Sequence, residues 1–449
     1  MSEHKSKTED RRKFLLSIGA AGGSVMLSST LPLRSAIAAG KPPTINIGQI
    51  APMTGAAAEF GPYYRDAVQM AINHINAAAE KVLGGPIIDK HVTVDTTTIP
   101  TVGVQAARQM VDTDNVAAIV GGWSSGVTVA VATSVSIPSD ILQVANGATS
   151  PLITVLPADA KADLLYRTTA SDALQGVVAA QLVNGEIYPD YKFKTVSTIY
   201  INNPYGQGLS NSFTKAFEHR GGKVLAEVPH PEEVQPTYKS ELSKALKDKP
   251  DLLIAISYPS HSTVFIKESR DIFDYTSWQF TDGNASLDLL KAVGAKDLDG
   301  KLGTAQGEDT TTTAYKDFAK HFTTDFKYDT IRPFTAAAYD AGMVIGLALA
   351  KVIIDGQTDG SKITGSVLRD QLRTVAGPGG TKIEGGDPAR VLEMLKALKA
   401  GQDIDYTGPS GPCDFDKNGD VITPINIWKF SGDKIETVET RPATSIPKE

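Results

Sequence analysis

The chain has a single cysteine, Cys413, in 449 residues. An intrachain disulfide is therefore excluded, and no cysteine lies near the N-terminus to carry a lipid. Long apolar runs are also scarce. A membrane span needs roughly 18 consecutive apolar residues, and the nearest approach, Phe334–Ile354, is interrupted by Asp340 and dominated by small side chains. That stretch reads as a buried helix. Seven scattered histidines and one cysteine give no zinc spacing. There is no short-period repeat and no heptad pattern, and no cofactor motif is found. Gly206-Gln207-Gly208 is followed by Asn211 where a dinucleotide fingerprint has its third glycine. Asp414-Phe415-Asp416-Lys417-Asn418-Gly419 opens like a calcium loop, but its twelfth position is Ile425 rather than a glutamate, so a turn is expected.

The N-terminus carries what the rest lacks. Arg11-Arg12-Lys13-Phe14-Leu15-Leu16, a Gly/Ala/Ser-rich weakly apolar run and Ala36-Ile37-Ala38 make a twin-arginine signal peptide over residues 1–39, with Asp10 where Ser or Thr is usual. The whole chain carries −7; the first 38 residues hold six Lys/Arg and three Asp/Glu, so without their +3 the remainder stands at −10. An acidic surface argues against a nucleic-acid partner. Export predicts a protein free in the periplasm, and about 410 mature residues suggest two domains on a prior of roughly 100–200 residues each.

Strand and helix patterns alternate along that remainder. Thr44–Ile50, His91–Thr97, Ala117–Val120 and Ile141–Ala145 read as strands, with helices at Arg65–Ala79, Val102–Asp112 and Val127–Ser136. After Thr168–Asp172 the alternation restarts with strands at Thr195–Tyr200, Val224–Val228, Leu252–Ile256 and Gln279–Thr281. Long helices at Tyr315–Phe326, Pro333–Ile354 and Ser361–Thr374, a helix at Arg390–Lys399 and a hairpin over Val421–Phe430 close the chain. The fold class is α/β, two Rossmann-like lobes. Ligands of open α/β sheets bind beyond the carboxyl ends of the strands. The residues expected to face a cleft are thus Ala51–Gly61, Gly121–Gly126, Asn146–Thr149, Asn202–Gly206, Ser257–Pro259 and Asp282–Gly283.

The stretch Ala117–Gly126 is the most informative. A buried strand runs into Gly121-Gly122 and then Ser124-Ser125 open a helix, where unpartnered amides and the helix dipole suit a carboxylate. Ser125 is the first expected anion contact, and Thr149 after Gly147-Ala148 the second. Asp282 and Asp172 are acids placed to meet an ammonium. Phe60, Trp123 and Tyr258 are loop aromatics able to wall a pocket, with Tyr205 at its rim. Gly122-Trp123-Ser124-Ser125-Gly126 also satisfies G-x-S-x-G, so an exported serine hydrolase using Ser124 with Asp282 and His321 is the competing reading, without a His-Gly-Gly-Gly-like oxyanion element.

These pieces together resemble a known family. Ile47–Gly55, Val120-Gly121 with Ser125, Gly147–Pro151, Tyr205-Gly206, Tyr258-Pro259, Thr281–Gly283, Ala338–Ala341, and Gly411 with Phe415-Asp416 and Gly419-Asp420 are similar in order and spacing to the branched-chain amino-acid-type (Leu/Ile/Val-binding protein-like) substrate-binding proteins of ABC importers. The resemblance implies a type I periplasmic binding protein with a three-strand hinge near Thr168–Asp172, Leu302–Gly307 and Gly408–Asp416. It implies one lobe from 40–170 and 306–408, and the other from 171–305 and 409–449. It implies a non-enzymatic, monomeric receptor that delivers a small ligand, most simply an amino acid, to a permease. Amides, urea or aromatic acids are the alternative ligands. The ligand-binding set it implies is Phe60, Trp123, Ser124, Ser125, Gly147, Ala148, Thr149, Asp172, Tyr205, Tyr258 and Asp282, with no metal and no cofactor. Trp123 is larger than the aliphatic residue usual there, and Gly126 and Val127 replace hydroxyl residues.

Overall fold

The structure is a computed structural model, and it describes residues 41–447. The signal-peptide expectation for residues 1–39 lies outside the described residues.

Two open sheets organise the chain. The first contains β1 (Ile45–Ala51), β2 (Ile88–Asp95), β3 (Val116–Val120), β4 (Leu142–Ala145) and β5 (Leu165–Arg167), all parallel in the order β2-β1-β3-β4-β5. The second contains β6 (Thr195–Ile201), β7 (Lys223–His230), β8 (Leu252–Ile256), β9 (Trp278–Phe280) and β10 (Leu302–Gln306). A small sheet of β11 (Thr381–Glu384), β12 (Ile404–Gly408) and β13 (Gly411–Pro412) follows, and β14 (Ile425–Ser431) and β15 (Lys434–Arg441) then add antiparallel to the second sheet, giving β15-β14-β10-β9-β8-β6-β7. β3 and β8 are buried along their whole length, as strands covered by helices on both faces must be. The chain crosses between the two lobes three times: between β5 and β6, after β10, and between β13 and β14.

The helix Thr335–Ile354 passes the length and hydropathy test for a membrane span, yet it is a core helix packed on Gly61–Leu83. Its small residues let the helices approach: a Cβ on Gly346 would meet Ile75 at 2.6 Å. Asp340 on this apolar helix accepts hydrogen bonds from the Tyr406 hydroxyl (2.6 Å) and the Ser410 amide (2.8 Å) and hydroxyl (2.5 Å), which ties the helix to β12 and the turn before β13.

Several boundaries differ from the sequence reading. The first helix spans Gly61–Leu83, four residues earlier than Arg65, because Pro62 sits in its first turn. The expected Val127–Ser136 helix starts at Ser125 and finishes in a π-helical turn over Ala132–Ser136. Asp172, expected in a loop, opens an unforeseen helix, Asp172–Val183, capped by Ser171. That helix is apolar on nearly every side, so no 3.6-residue stripe marks it. The final hairpin is Ile425–Ser431 with Lys434–Arg441, not Val421–Phe430. Asp416 makes a turn by accepting from the amides of Asn418 and Asp420 (2.7 and 3.0 Å).

Candidate ligand-binding site

The carboxyl ends of six strands meet where the two lobes face each other. The segment after β1 supplies Phe60, β3 leads to Trp123, Ser124 and Ser125, and β4 leads to Gly147, Ala148 and Thr149. From the other lobe, Tyr205 follows β6, Tyr258 follows β8 and Asp282 follows β9. All of these residues, and Asp172, are buried.

They form two connected clusters. The first is aromatic. Trp123 lies between Phe60 (ring centroids 5.2 Å apart) and Tyr258 (4.8 Å), and Tyr258 stacks on Tyr205 at 5.7 Å and 10°. Trp123 also fills the space over Gly147, where a Cβ would come within 2.3 Å of its ring. Its Nε1 has no hydrogen-bond partner.

The second cluster is polar. The Thr149 hydroxyl donates to Asp172 Oδ2 at 2.9 Å, and the Asp172 amide donates to the Thr149 carbonyl at 2.7 Å. Asp282 Oδ1 accepts from the Tyr205 hydroxyl (2.8 Å) and from Gln175 Nε2 (3.0 Å). Gln306 Nε2 closes the chain by donating to Asp172 Oδ1 (3.1 Å) and to Gln175 Oε1 (2.9 Å). Burial pushes both acids up, Asp282 to about 6, and repulsion from Asp282 raises Asp172 further. Among the described residues no Lys or Arg is paired with either acid.

The two serines are partly engaged. Ser124 takes the N-cap position without capping, and its Oγ instead accepts from the Tyr258 hydroxyl at 3.1 Å. Ser125 Oγ accepts from the Ser150 amide at 3.2 Å, which leaves its own hydroxyl proton to donate. The hydrolase constellation is not assembled. Ser124 is held by Tyr258, Asp282 by Tyr205 and Gln175, and His321 by Asp387 at 3.2 Å. No group of three or more His, Cys, Asp or Glu among the described residues is gathered as metal ligands would be.

Sequence reasoning gave no role to four supporting residues, although it placed one of them, Asn203, in a cleft-facing segment. Gln175 lies three positions after Asp172, on the same face of a helix that was not foreseen. Gln306 ends β10. Asn203 donates to the Tyr258 hydroxyl at 3.3 Å, and Asn202-Asn203-Pro204 after a strand was a readable signal. Arg167, fully buried, pairs with Asp420 at 2.7 Å and donates to the Ala148 and Ser150 carbonyls at 3.3 and 3.0 Å, fixing the loop that carries Thr149.

Comparison with known proteins gives the family and the fold. The family described as periplasmic binding protein matches residues 44–434. Leu/Ile/Val-binding protein homolog 3 of Brucella melitensis is 29% identical over 77% of this chain and 88% of its own length. The leucine-binding protein LivK of Thermotoga maritima superposes with a TM-score of 0.70 at 21% identity, covering 89% of this chain and 99% of that one. LivJ of Streptococcus pneumoniae, solved with isoleucine, superposes with a TM-score of 0.68 at 19% identity, covering 89% and 100%. The chain belongs to the periplasmic binding protein family, and its fold is that of the type I members LivK and LivJ.

Proposed function

We propose that the protein is an extracytoplasmic receptor that captures an amino acid, branched-chain or related, between its lobes and delivers it to an ABC permease. The observation that carries this reading is the pair of buried acids, Asp172 and Asp282, bridged by Gln175 and Gln306 and, among the described residues, ion-paired to no Lys or Arg, with only the more distant Arg167 charge acting on Asp172. A buried carboxylate without a cation is costly, and an incoming ammonium removes that cost. In this reading Asp282, the Gly147 carbonyl and Asp172 receive the ammonium. Ser125, Thr149 and nearby amides take the carboxylate, while Phe60, Trp123, Tyr205 and Tyr258 enclose the rest, with Ser124 and Ala148 at its edge. The LivJ relative solved with isoleucine supports the same ligand class.

The reading extends to organisation and export. The lobes divide as 40–170 with 306–408, and 171–305 with 409–449, and they close on the ligand as hinged bodies. The receptor acts as a monomer, without a cofactor and without catalysis, in the periplasm after twin-arginine export and removal of residues 1–39.

Calorimetry tests it. Leucine, isoleucine and valine are titrated into the protein beside their amine-free 2-keto acids. The amino acids bind, and Asp282→Asn weakens them by several kcal/mol, the order of a truncated buried charge pair. Equal binding of the keto acids, or no effect of Asp282→Asn, rejects the ammonium assignment.

A further inference from the structure

Trp123 stands at the centre of the aromatic cluster, with Phe60 on one side at 5.2 Å between ring centroids and Tyr258 on the other at 4.8 Å. These are contact distances for aromatic pairs, so no side chain fits between the rings. The Cδ1–Nε1 edge of the indole lies over Gly147, where a Cβ would meet those two atoms at 2.3 and 3.1 Å. In the reading above, the Gly147 carbonyl receives the ligand's ammonium. The indole therefore stands beside the ligand's α-carbon, in the space that a ligand side chain would take.

The neighbours of Trp123 are fastened in their turn. Phe60 stacks on Tyr64 (6.2 Å, 13°), and the Tyr64 hydroxyl donates to the Pro333 carbonyl at 3.0 Å. The backbone beside Phe60 is also wedged: a Cβ on Gly61 would meet the Pro52 carbonyl oxygen at 2.4 Å. The Tyr258 hydroxyl donates to Ser124 Oγ at 3.1 Å and accepts from Asn203 Nδ2 at 3.3 Å, while its ring stacks on Tyr205. Tyr205 is held by its own hydrogen bond to Asp282 at 2.8 Å. The wall is thus anchored in both lobes. A loose ring would rotate to admit a larger group, whereas a close-packed and fastened one resists it at the cost of overpacking.

We propose that Trp123 sets the size limit of the receptor, and that its preferred ligand within the amino-acid class has the smallest of side chains, as glycine and alanine do. The inference rests on the amino-acid reading above and names the ligand of the same site. A hydrogen or a methyl group on the α-carbon fits beside the indole. The isopropyl group of valine and the isobutyl group of leucine must push the indole toward Phe60, Tyr258 or Gly147, and it already touches all three. The larger acids still present an ammonium and a carboxylate, so they bind, but more weakly. Selectivity here comes from bulk that works against the larger competitor.

The test is a size series against a changed wall. Glycine, L-alanine, L-valine and L-leucine are titrated by calorimetry into the intact protein and into its Trp123→Phe and Trp123→Leu variants. The readout is the affinity of the tighter of glycine and alanine divided by that of leucine, a ratio that cancels any general loss of folded protein. A pocket discriminates by roughly tenfold or more for a misfit of methylene size, so the ratio in the parent is expected to be at least about tenfold, with valine between the two ends. It falls in Trp123→Phe and drops below one in Trp123→Leu, where leucine becomes the better ligand. Should Trp123→Leu yield no folded protein, the ratio in Trp123→Phe, which keeps a ring in the wall, decides in its place. Leucine equal to or tighter than the small amino acids in the parent overturns the size limit and leaves the receptor reading standing. A small-ligand preference unmoved by either variant overturns the assignment to Trp123. Failure of all four to bind the parent overturns the amino-acid reading beneath the proposal as well.

Discussion

The Tyr258 hydroxyl donates to Ser124 Oγ at 3.1 Å, and this bond joins the end of β8 in one lobe to the end of β3 in the other. The ring is already placed against Trp123 and Tyr205, so the bond adds direction to a contact made by area. Tyr258→Phe keeps the ring and removes the bond. A neutral hydrogen bond contributes roughly 0.5–1.5 kcal/mol, so ligand affinity is expected to fall several-fold. Small-angle scattering without ligand should show a larger share of open molecules. An unchanged dissociation constant with an unchanged scattering curve would mean the contact does not hold the lobes together.

Burial raises several carboxyls at once, and the sign of the pH effect follows. Asp282 is pushed to about 6, Asp340 to about 7 and Glu308 to about 8, all above their unfolded range. Between the unfolded and folded values the native state holds more protons than the unfolded chain. Stability from these groups is thus complete below about pH 4 and is lost as pH rises through 6 to 8. The ligand-free protein is expected to melt higher at pH 5.5 than at pH 8, apart from any other titrating group. A bound ammonium reverses the trend at Asp282, because it favours the ionised acid. The ligand-induced rise in melting temperature should therefore grow from pH 5 to pH 7. A rise that shrinks over that interval would remove Asp282 from the ammonium contact.

The frame of the site was legible because strand ends are marked by composition. Val-Ala-Ala-Ile-Val before Gly-Gly, and Leu-Leu-Ile-Ala-Ile before Ser-Tyr-Pro, can only be buried strands running into loops, so Trp123, Ser125 and Tyr258 could be placed at a cleft without a structure. The network behind them could not. Gln175 lies on a helix with no amphipathic stripe, and nothing local connects it to Gln306, which is 131 positions away in sequence. Trp123 showed its size in the sequence but not its direction. Only the packing reveals that it lies over Gly147.

That packing carries its own prediction. A methyl on Gly147 would come within 2.3 Å of Trp123 Cδ1, closer than any real contact, so Gly147→Ala must displace the indole. Overpacking of this kind costs typically about 1–3 kcal/mol. Gly147→Ala is expected to lower the unfolding free energy in urea by that amount and to shift tryptophan fluorescence. Trp123→Leu removes the obstacle, so the double variant should recover part of the loss. Additive losses in the double variant would mean the two side chains do not compete for the same space.

Glu59 holds the second lobe from the first. It lies just before the helix Gly61–Leu83, and its carboxylate reaches across to the start of the helix Leu287–Val293, accepting from the Ser286 hydroxyl and from the amides of Leu287 (3.1 Å) and Asp288 (3.3 Å). Arg332 pairs with the same carboxylate at 2.7 Å, and the two side chains are only 12% and 5% exposed for Arg332 and Glu59. A carboxylate suits a helix N-terminus, and the guanidinium holds it in place. Glu59→Gln leaves Arg332 with no carboxylate at a nearly buried position, a loss on the order of 3 kcal/mol for a broken buried pair. Replacing both as Glu59→Gln with Arg332→Met removes the stranded charge and should restore much of the stability in urea. The latch itself stays broken in that double variant, so scattering should still show the lobes opening more often than in the parent. Recovery of both stability and closure would assign the pair to packing alone, while recovery of stability without closure identifies Glu59 as the strap across the cleft.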